Sequence, residues 1–337
     1  MIKMLMFDFR NSEKDFFKTN NQSDFDITFK RENLNENTKL TAKEKNETVI
    51  LSVFTTSKIT EKVINQFNNL QIIATRSTGY NHIDIETCRK KNIAVINISD
   101  YGRTSVAQYT IGIILAMIRN VIQSSNDVKN RHIDYKKYEG HDISNLILGV
   151  IGTGSIGSAV CEIANTLGMK IYAHDLKINK NINTFVKYVS LNDVLKNSNI
   201  ITLHIPYQKE FHHLLSTKEF NMMQESSYII NTARGELIDT KALYDAIKSG
   251  KIKGAALDVL ECEELLISNE DLNTELKNTS YKCLENALIS QKLMEFDNVI
   301  ITPHIAYNTK ESIDKILKTM FFAIKNYFKG MHTNRIV

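Results

Sequence analysis

Three side chains in this sequence have the types and spacing to reduce a keto acid. Such a reaction needs a cation for the substrate carboxylate, a proton donor for the carbonyl oxygen, and a group that keeps the donor charged near neutral pH. Arg234 ends the β-type run SSYIINTAR. Glu263 stands five residues after Asp258, at the end of the run IKGAALDV, and His304 ends NVIITPH directly after Pro303. Ligands of open α/β sheets sit beyond the carboxyl ends of strands, so the three can share one crevice. Each has a bland reading, Arg234 as a surface ion pair, Glu263 as one solvated acid of ECEE and His304 as a capping or core residue, and taken singly that reading prevails for Glu263 and His304. Their joint occurrence at strand ends beside a nucleotide loop outweighs those readings.

That loop is Gly152-Thr-Gly154-Ser-Ile-Gly157, which follows the strand-like LILGVI and opens the helical SAVCEIANTLG. The hexapeptide alone is a weak signal, and the strand–turn–helix context is what makes it credible. Gly152 permits the tight turn, Gly154 lets the backbone approach a pyrophosphate, and Gly157 allows close packing of helix on strand. The N–H groups at the helix start face the phosphates. Asp175 ends the next strand, where an acid accepts hydrogen bonds from the adenosine ribose and repels a 2′-phosphate. No arginine follows in LKINK to bind such a phosphate, so NAD is expected over NADP. A methyltransferase also places an acid after its second strand, so the loop does not decide the chemistry alone.

The elements that must hold these residues alternate β-branched runs with amphipathic stretches: MLMFDF, TVILSVF (48–54), LQIIATR (70–76), IAVINI (93–98), then the loop's βαβ unit, SNIITLHIP (198–206) and the three runs above. This is the pattern of parallel, doubly wound sheets. TSVAQYTIGIILAMIRNVIQSSNDV reads as one long buried helix crossing between two domains, and 311–330 as an amphipathic helix that returns to the first domain. Residues 264–297 read as a surface helical excursion without chemistry. The boundaries fall near residues 101 and 303. With 42 basic and 38 acidic residues the net charge is +4, which offers no field for nucleic acid or an anionic membrane and leaves a small metabolite as the partner. Met1–Phe9 carries Asp8 and lacks a cleavage site, so it reads as a strand, not a secretory signal. No run reaches the length of a spanning helix. Cys88, Cys161, Cys262 and Cys283 lack C-x-x-C spacing and read as reduced thiols of the cytoplasm, not as a disulfide frame or metal site.

RSTGYNHID (76–84), NISDYGRTSVAQ (97–108), LGVIGTGSIG (148–157), TLHIP (202–206), INTARGELID (230–239), LDVLECEE (257–264) and ITPHIAYNT (301–309) together resemble the D-isomer-specific 2-hydroxyacid dehydrogenases over essentially the whole length, most of all their D-lactate members. The resemblance implies a Rossmann NAD-binding domain (101–302) inserted into a discontinuous flavodoxin-like substrate domain (1–100 and 303–337), a cleft between them, and a homodimer. It implies that Arg234 binds the substrate carboxylate, that His304 is the acid/base and that Glu263 pairs with it. Phe54, Thr78, Gly79 and Tyr101 are implied at the substrate. Val106, Gly152, Gly154, Ser155, Ile156, Gly157, Asp175, His204, Ile205, Pro206, Thr232, Ala233, Asp258 and Ala306 are implied at NAD, and no metal is. Tyr101 favours a lactate-type substrate. GRTSVAQ in place of SPxxVAE, and PHIAY in place of PHTAF or PHTAY, keep longer keto acids and hydroxypyruvate open beside pyruvate. A rival from another class is an NAD-sensing binding protein of the same fold, although the retained arginine, glutamate and histidine argue for catalysis.

Overall fold

The computed structural model describes every residue except Asn21, Asp100 and 268–279. The chain divides into two compact units, Met1–Tyr101 with Asn308–Val337, and Gly102–Tyr307. The first holds β1 (Ile2–Met6), β2 (Phe25–Phe29), β3 (Ile50–Val53), β4 (Ile72–Thr75) and β5 (Ala94–Ile96). They form one sheet in the order β2-β1-β3-β4-β5, paired in parallel throughout. This is the flavodoxin-like order. β3, β4 and β5 are buried along their whole length, as parallel strands covered on both faces require. The helix Lys310–Phe328 lays Ile316, Leu317, Met320, Phe321 and Ile324 into this unit's core, with Phe321 against Phe16 and Phe25.

The second unit holds β6 (Ile147–Ile151), β7 (Lys170–His174), β8 (Val186–Tyr188), β9 (Ile200–Leu203), β10 (Ser227–Asn231), β11 (Ile252–Leu257) and β12 (Val299–Ile301). Their order is β12-β11-β10-β9-β6-β7-β8, again all parallel. It is the Rossmann order with one strand added beyond the sixth. The direction of winding reverses between β6 and β9, which is where such sheets take their ligands.

Several expectations need correction. The segment from Thr104 is two helices, Arg103–Ile118 and Val121–Lys129, bent by 60°. Asn120 adopts a left-handed φ of 52° between them, which ends the first helix. The first helix is largely buried within the second unit, whereas the second has no buried residue. No single helix among the described residues is long and apolar enough to cross a membrane. Residues 303–307 fall in the second unit, because the amides of His304 and Ala306 bond to Asp258 at the end of β11. In the supposed surface excursion, the helix Tyr281–Met294 buries Ala287, Ile289 and Leu293, while 268–279 lie outside the described residues. The reading of all four cysteines as reduced thiols is also overturned, since Cys262 and Cys283 form a disulfide, their Cα atoms 5.6 Å apart. The fold, not a sequence spacing, brings them within the reach of such a bond.

Candidate active site

Asn231, Leu257 and Ile301 are register partners in adjacent strands β10, β11 and β12. The chain therefore leaves all three strands at one level of the sheet's carboxyl end, and Arg234, Glu263 and His304 follow within a few residues of it. His304 adopts a left-handed φ of 53°, a conformation seldom taken by a residue with a β-carbon. The loop around it is clamped by Asp258, whose carboxylate accepts from Thr302 Oγ1 (2.6 Å), Ile305 N (3.0 Å) and Ala306 N (2.8 Å). Burial pushes the Asp258 carboxyl above its ordinary range, and these hydrogen bonds oppose that shift. The clamp aims the imidazole so that His304 Nδ1 lies 2.7 Å from Glu263 Oε1. Both side chains keep about a third of their surface, 36% and 28%. With Nδ1 engaged, Nε2 is the ring atom left for a proton transfer. Arg234 Nη1 donates to Ala233 O at 2.6 Å.

A dinucleotide fits the loop after β6. Gly152 has φ 92°, and a β-carbon there would come within 2.7 Å of His204 O. One on Gly157 would fall 1.9 Å from Gly152 O. At Gly154, by contrast, an added β-carbon meets nothing within 4 Å, so the exposed start of the helix Ser155–Thr166 is open to a phosphate-bearing ligand, with Ser155 exposed and Ile156 half-buried beside it. Asp175 accepts from Thr153 N (2.6 Å), Thr153 Oγ1 (3.0 Å) and Lys177 N (3.0 Å). Burial disfavours its charge, but the hydrogen bonds from Lys177 and Thr153 outweigh that and hold the carboxyl below its usual range. The carboxylate is thereby fixed and ionised. Burial keeps the His204 imidazole neutral, pushed down to about 3. Ile205 and Ala233 are half-buried and Pro206 is exposed. Val106 and Thr232 are tied together through Thr110, whose hydroxyl reaches Val106 O at 2.8 Å and Thr232 Oγ1 at 2.9 Å.

Phe54, Thr78, Gly79 and Tyr101 belong to the first unit. Phe54 N donates to Asp8, which also takes the hydroxyls of Thr56 and Ser57, and the Arg10 guanidinium lies 4.5 Å over the Phe54 ring. Thr78 Oγ1 donates to Ile98 O, Gly79 O accepts from Ser77 Oγ, and Tyr101 O accepts from Ser312 Oγ. Sequence reasoning missed the anchor next to Glu263. Glu261 is buried and accepts from Thr240 N, Thr240 Oγ1 and His213 Nε2. The donor atoms of His212, His213 and Glu261 lie within 4.8 Å of one another, with those of His213 and Glu261 engaged together. The usable signal was that an acid this deep needs partners, but ECEE does not tell which of its acids is deep.

Residues 111–306 match the family described as "D-isomer specific 2-hydroxyacid dehydrogenase, NAD binding domain". The chain belongs to this family. It is accordingly an NAD-dependent oxidoreductase of 2-hydroxy acids. Among curated relatives it is 33% identical over 270 residues to an aromatic 2-oxoacid reductase of Clostridium sporogenes, covering 80% of this chain and 79% of the relative. It is 36% identical over 252 residues to a D-specific alpha-keto acid dehydrogenase of Enterococcus faecium, 74% of each. Among solved structures, D-lactate dehydrogenase from Aquifex aeolicus, complexed with NAD and lactic acid, superposes with a TM-score of 0.82 at 34% identity, over 97% of this chain and 96% of that one.

Proposed function

We propose that this dehydrogenase reduces pyruvate to D-lactate and catalyses the reverse. The observation that carries the acid–base part is the 2.7 Å contact of His304 Nδ1 with Glu263 at the carboxyl end of the sheet, where Arg234 also follows its strand. When bound, NADH supplies the hydride. Arg234 pairs its planar guanidinium with the substrate carboxylate and so fixes the carbonyl. Glu263 holds the His304 ring by Nδ1, and Nε2 of that ring passes its proton to the carbonyl oxygen. In the oxidative direction the neutral ring takes the proton back. The choice of pyruvate rests on Tyr101 and on the likeness to the Aquifex enzyme. Initial rates with NADH on pyruvate, 2-ketoisocaproate, phenylpyruvate and hydroxypyruvate test it. Pyruvate is expected to give the highest kcat/KM, and a higher value for any of the others reassigns the substrate.

Asp175 sets the cofactor preference in this reading. Asp175→Ala is expected to narrow the advantage of NADH over NADPH by about tenfold or more, since it removes charge-assisted hydrogen bonds and a repulsion together. Equal kcat/KM for the two cofactors in the unaltered enzyme contradicts this.

Phe54 is assigned to the wall around the substrate's side chain. In the folded Phe54→Ala variant the ratio of 2-ketoisocaproate to pyruvate turnover is expected to rise several-fold, as a removed ring makes room for a branched chain. An unchanged ratio returns Phe54 to the core, where its 9% exposure also fits.

The homodimer is part of the same proposal. Val121, Ile122, Val128, Ile133 and Tyr135 are 44–81% exposed on and just after the helix Val121–Lys129. A second copy would cover this apolar run, and sedimentation should report twice 38.5 kDa. Because NADH is a coenzyme of the cell interior, the cytoplasm is the proposed location, to be read by cell fractionation.

A further inference from the structure

The disulfide lies where a covalent bond would control the acid–base pair. Cys262 sits between two glutamates that serve opposite sides of one turn. Glu261 points inward to Thr240 and His213, and Glu263 reaches His304 and also accepts from Leu260 N. Cys262 itself has φ 55°, the left-handed conformation that the reversal from one glutamate to the other demands and that a residue with a β-carbon resists. Just beyond, Leu265 N donates to Cys262 O and Leu266 N to Glu263 O, starting the helix Glu264–Ile267. The turn is thus held on its inner side by Glu261 and on its outer side by the bond to Cys283 in the first turn of the helix Tyr281–Met294. Without that bond, the Glu263 carboxylate is kept in place by Leu260 N and by a partly exposed contact with His304, and exposed ion pairs hold geometry weakly.

The other two cysteines are of a different kind. Cys88 and Cys161 are fully buried, and burial pushes their thiols up to about 11 and about 12, which leaves them unreactive. Cys262 and Cys283 are only half-buried. In a cytoplasmic enzyme a disulfide of this kind is typically transient or redox-sensing.

We propose that Cys262–Cys283 is a reversible redox site through which a dithiol reductant sets the position of Glu263. A thiolate of the reductant attacks one sulfur of the disulfide and forms a mixed disulfide while the other cysteine leaves as a thiolate. The reductant's second thiolate then displaces the remaining cysteine. Two electrons and two protons pass to the protein, giving two thiols, and the reductant becomes a disulfide. The bonded form holds Glu263 against His304, and the reduced form lets the turn relax. The proposal rests on the acid–base reading of those two residues.

The test poises the full-length protein in oxidised and reduced dithiothreitol, with alkylation and peptide mass reporting the state of Cys262 and Cys283. Hydrogen exchange of residues 260–266 and kcat and KM for pyruvate are read on the same samples. Reduction is expected to speed exchange at Leu265 and Leu266 about tenfold or more, and to lower kcat several-fold with KM little changed. Cys283→Ser should match the reduced form in either buffer. The proposal is overturned if the two cysteines stay thiols under oxidation, or if either exchange or kcat is the same in both forms. If neither form reduces any 2-keto acid, the functional reading fails, and the exchange comparison alone still decides the redox site.

Discussion

His304→Gln is expected to lower kcat/KM for pyruvate by about 10²- to 10⁴-fold, the usual contribution of a positioned acid–base group, while NADH binding is retained. Glu263→Gln is the more informative partner experiment. It keeps the volume and a hydrogen-bonding oxygen but removes the carboxylate that meets His304 Nδ1. The ring loses the partner that orients it, so kcat for pyruvate is expected to fall about tenfold or more while KM changes little, the order of one lost charge-assisted hydrogen bond. A folded Glu263→Gln enzyme with kcat near the unaltered value removes Glu263 from the mechanism. Glu261 is no substitute, because its oxygens are committed to Thr240 and His213.

Arg234→Lys is expected to cost on the order of 10²-fold in kcat/KM although the charge is kept. One guanidinium N–H is already given to Ala233 O, and the planar group has further donors to grip both oxygens of a carboxylate. An ammonium is a point donor that cannot do both. Losing one or two charge-assisted hydrogen bonds, roughly 1.5–3 kcal/mol each, gives a loss of that order. The loss should appear in KM and in kcat, since the same grip binds the acid and orients its carbonyl. Near-unaltered kcat/KM for pyruvate takes Arg234 out of the substrate site.

The strands that carry chemistry were legible because they are long apolar runs followed by distinctive residues, as in LGVIGTGSIG or INTARGELID. β2 and β8 were not. Both lie at sheet edges and are partly exposed, so they leave little hydrophobic pattern. The break at Asn120 was invisible for a related reason: apolar residues continue past it, and a single left-handed residue changes direction without changing composition.

The amino-acid sequence by itself determined the parallel α/β class, the nucleotide loop with its acid at Asp175, and the candidacy of Arg234, Glu263 and His304, because each depends on residues close in the chain or on a strand end that local pattern reveals. Only the tertiary structure decided that Glu261 of ECEE turns inward to His213. It alone showed Asp258 clamping the His304 loop across 44 to 48 positions of chain, and Cys262 bonded to a cysteine 21 positions away. Neighbouring residues of like type are indistinguishable in a string of letters. They are told apart by the direction each side chain takes at a turn and by what the rest of the fold has placed there to meet it.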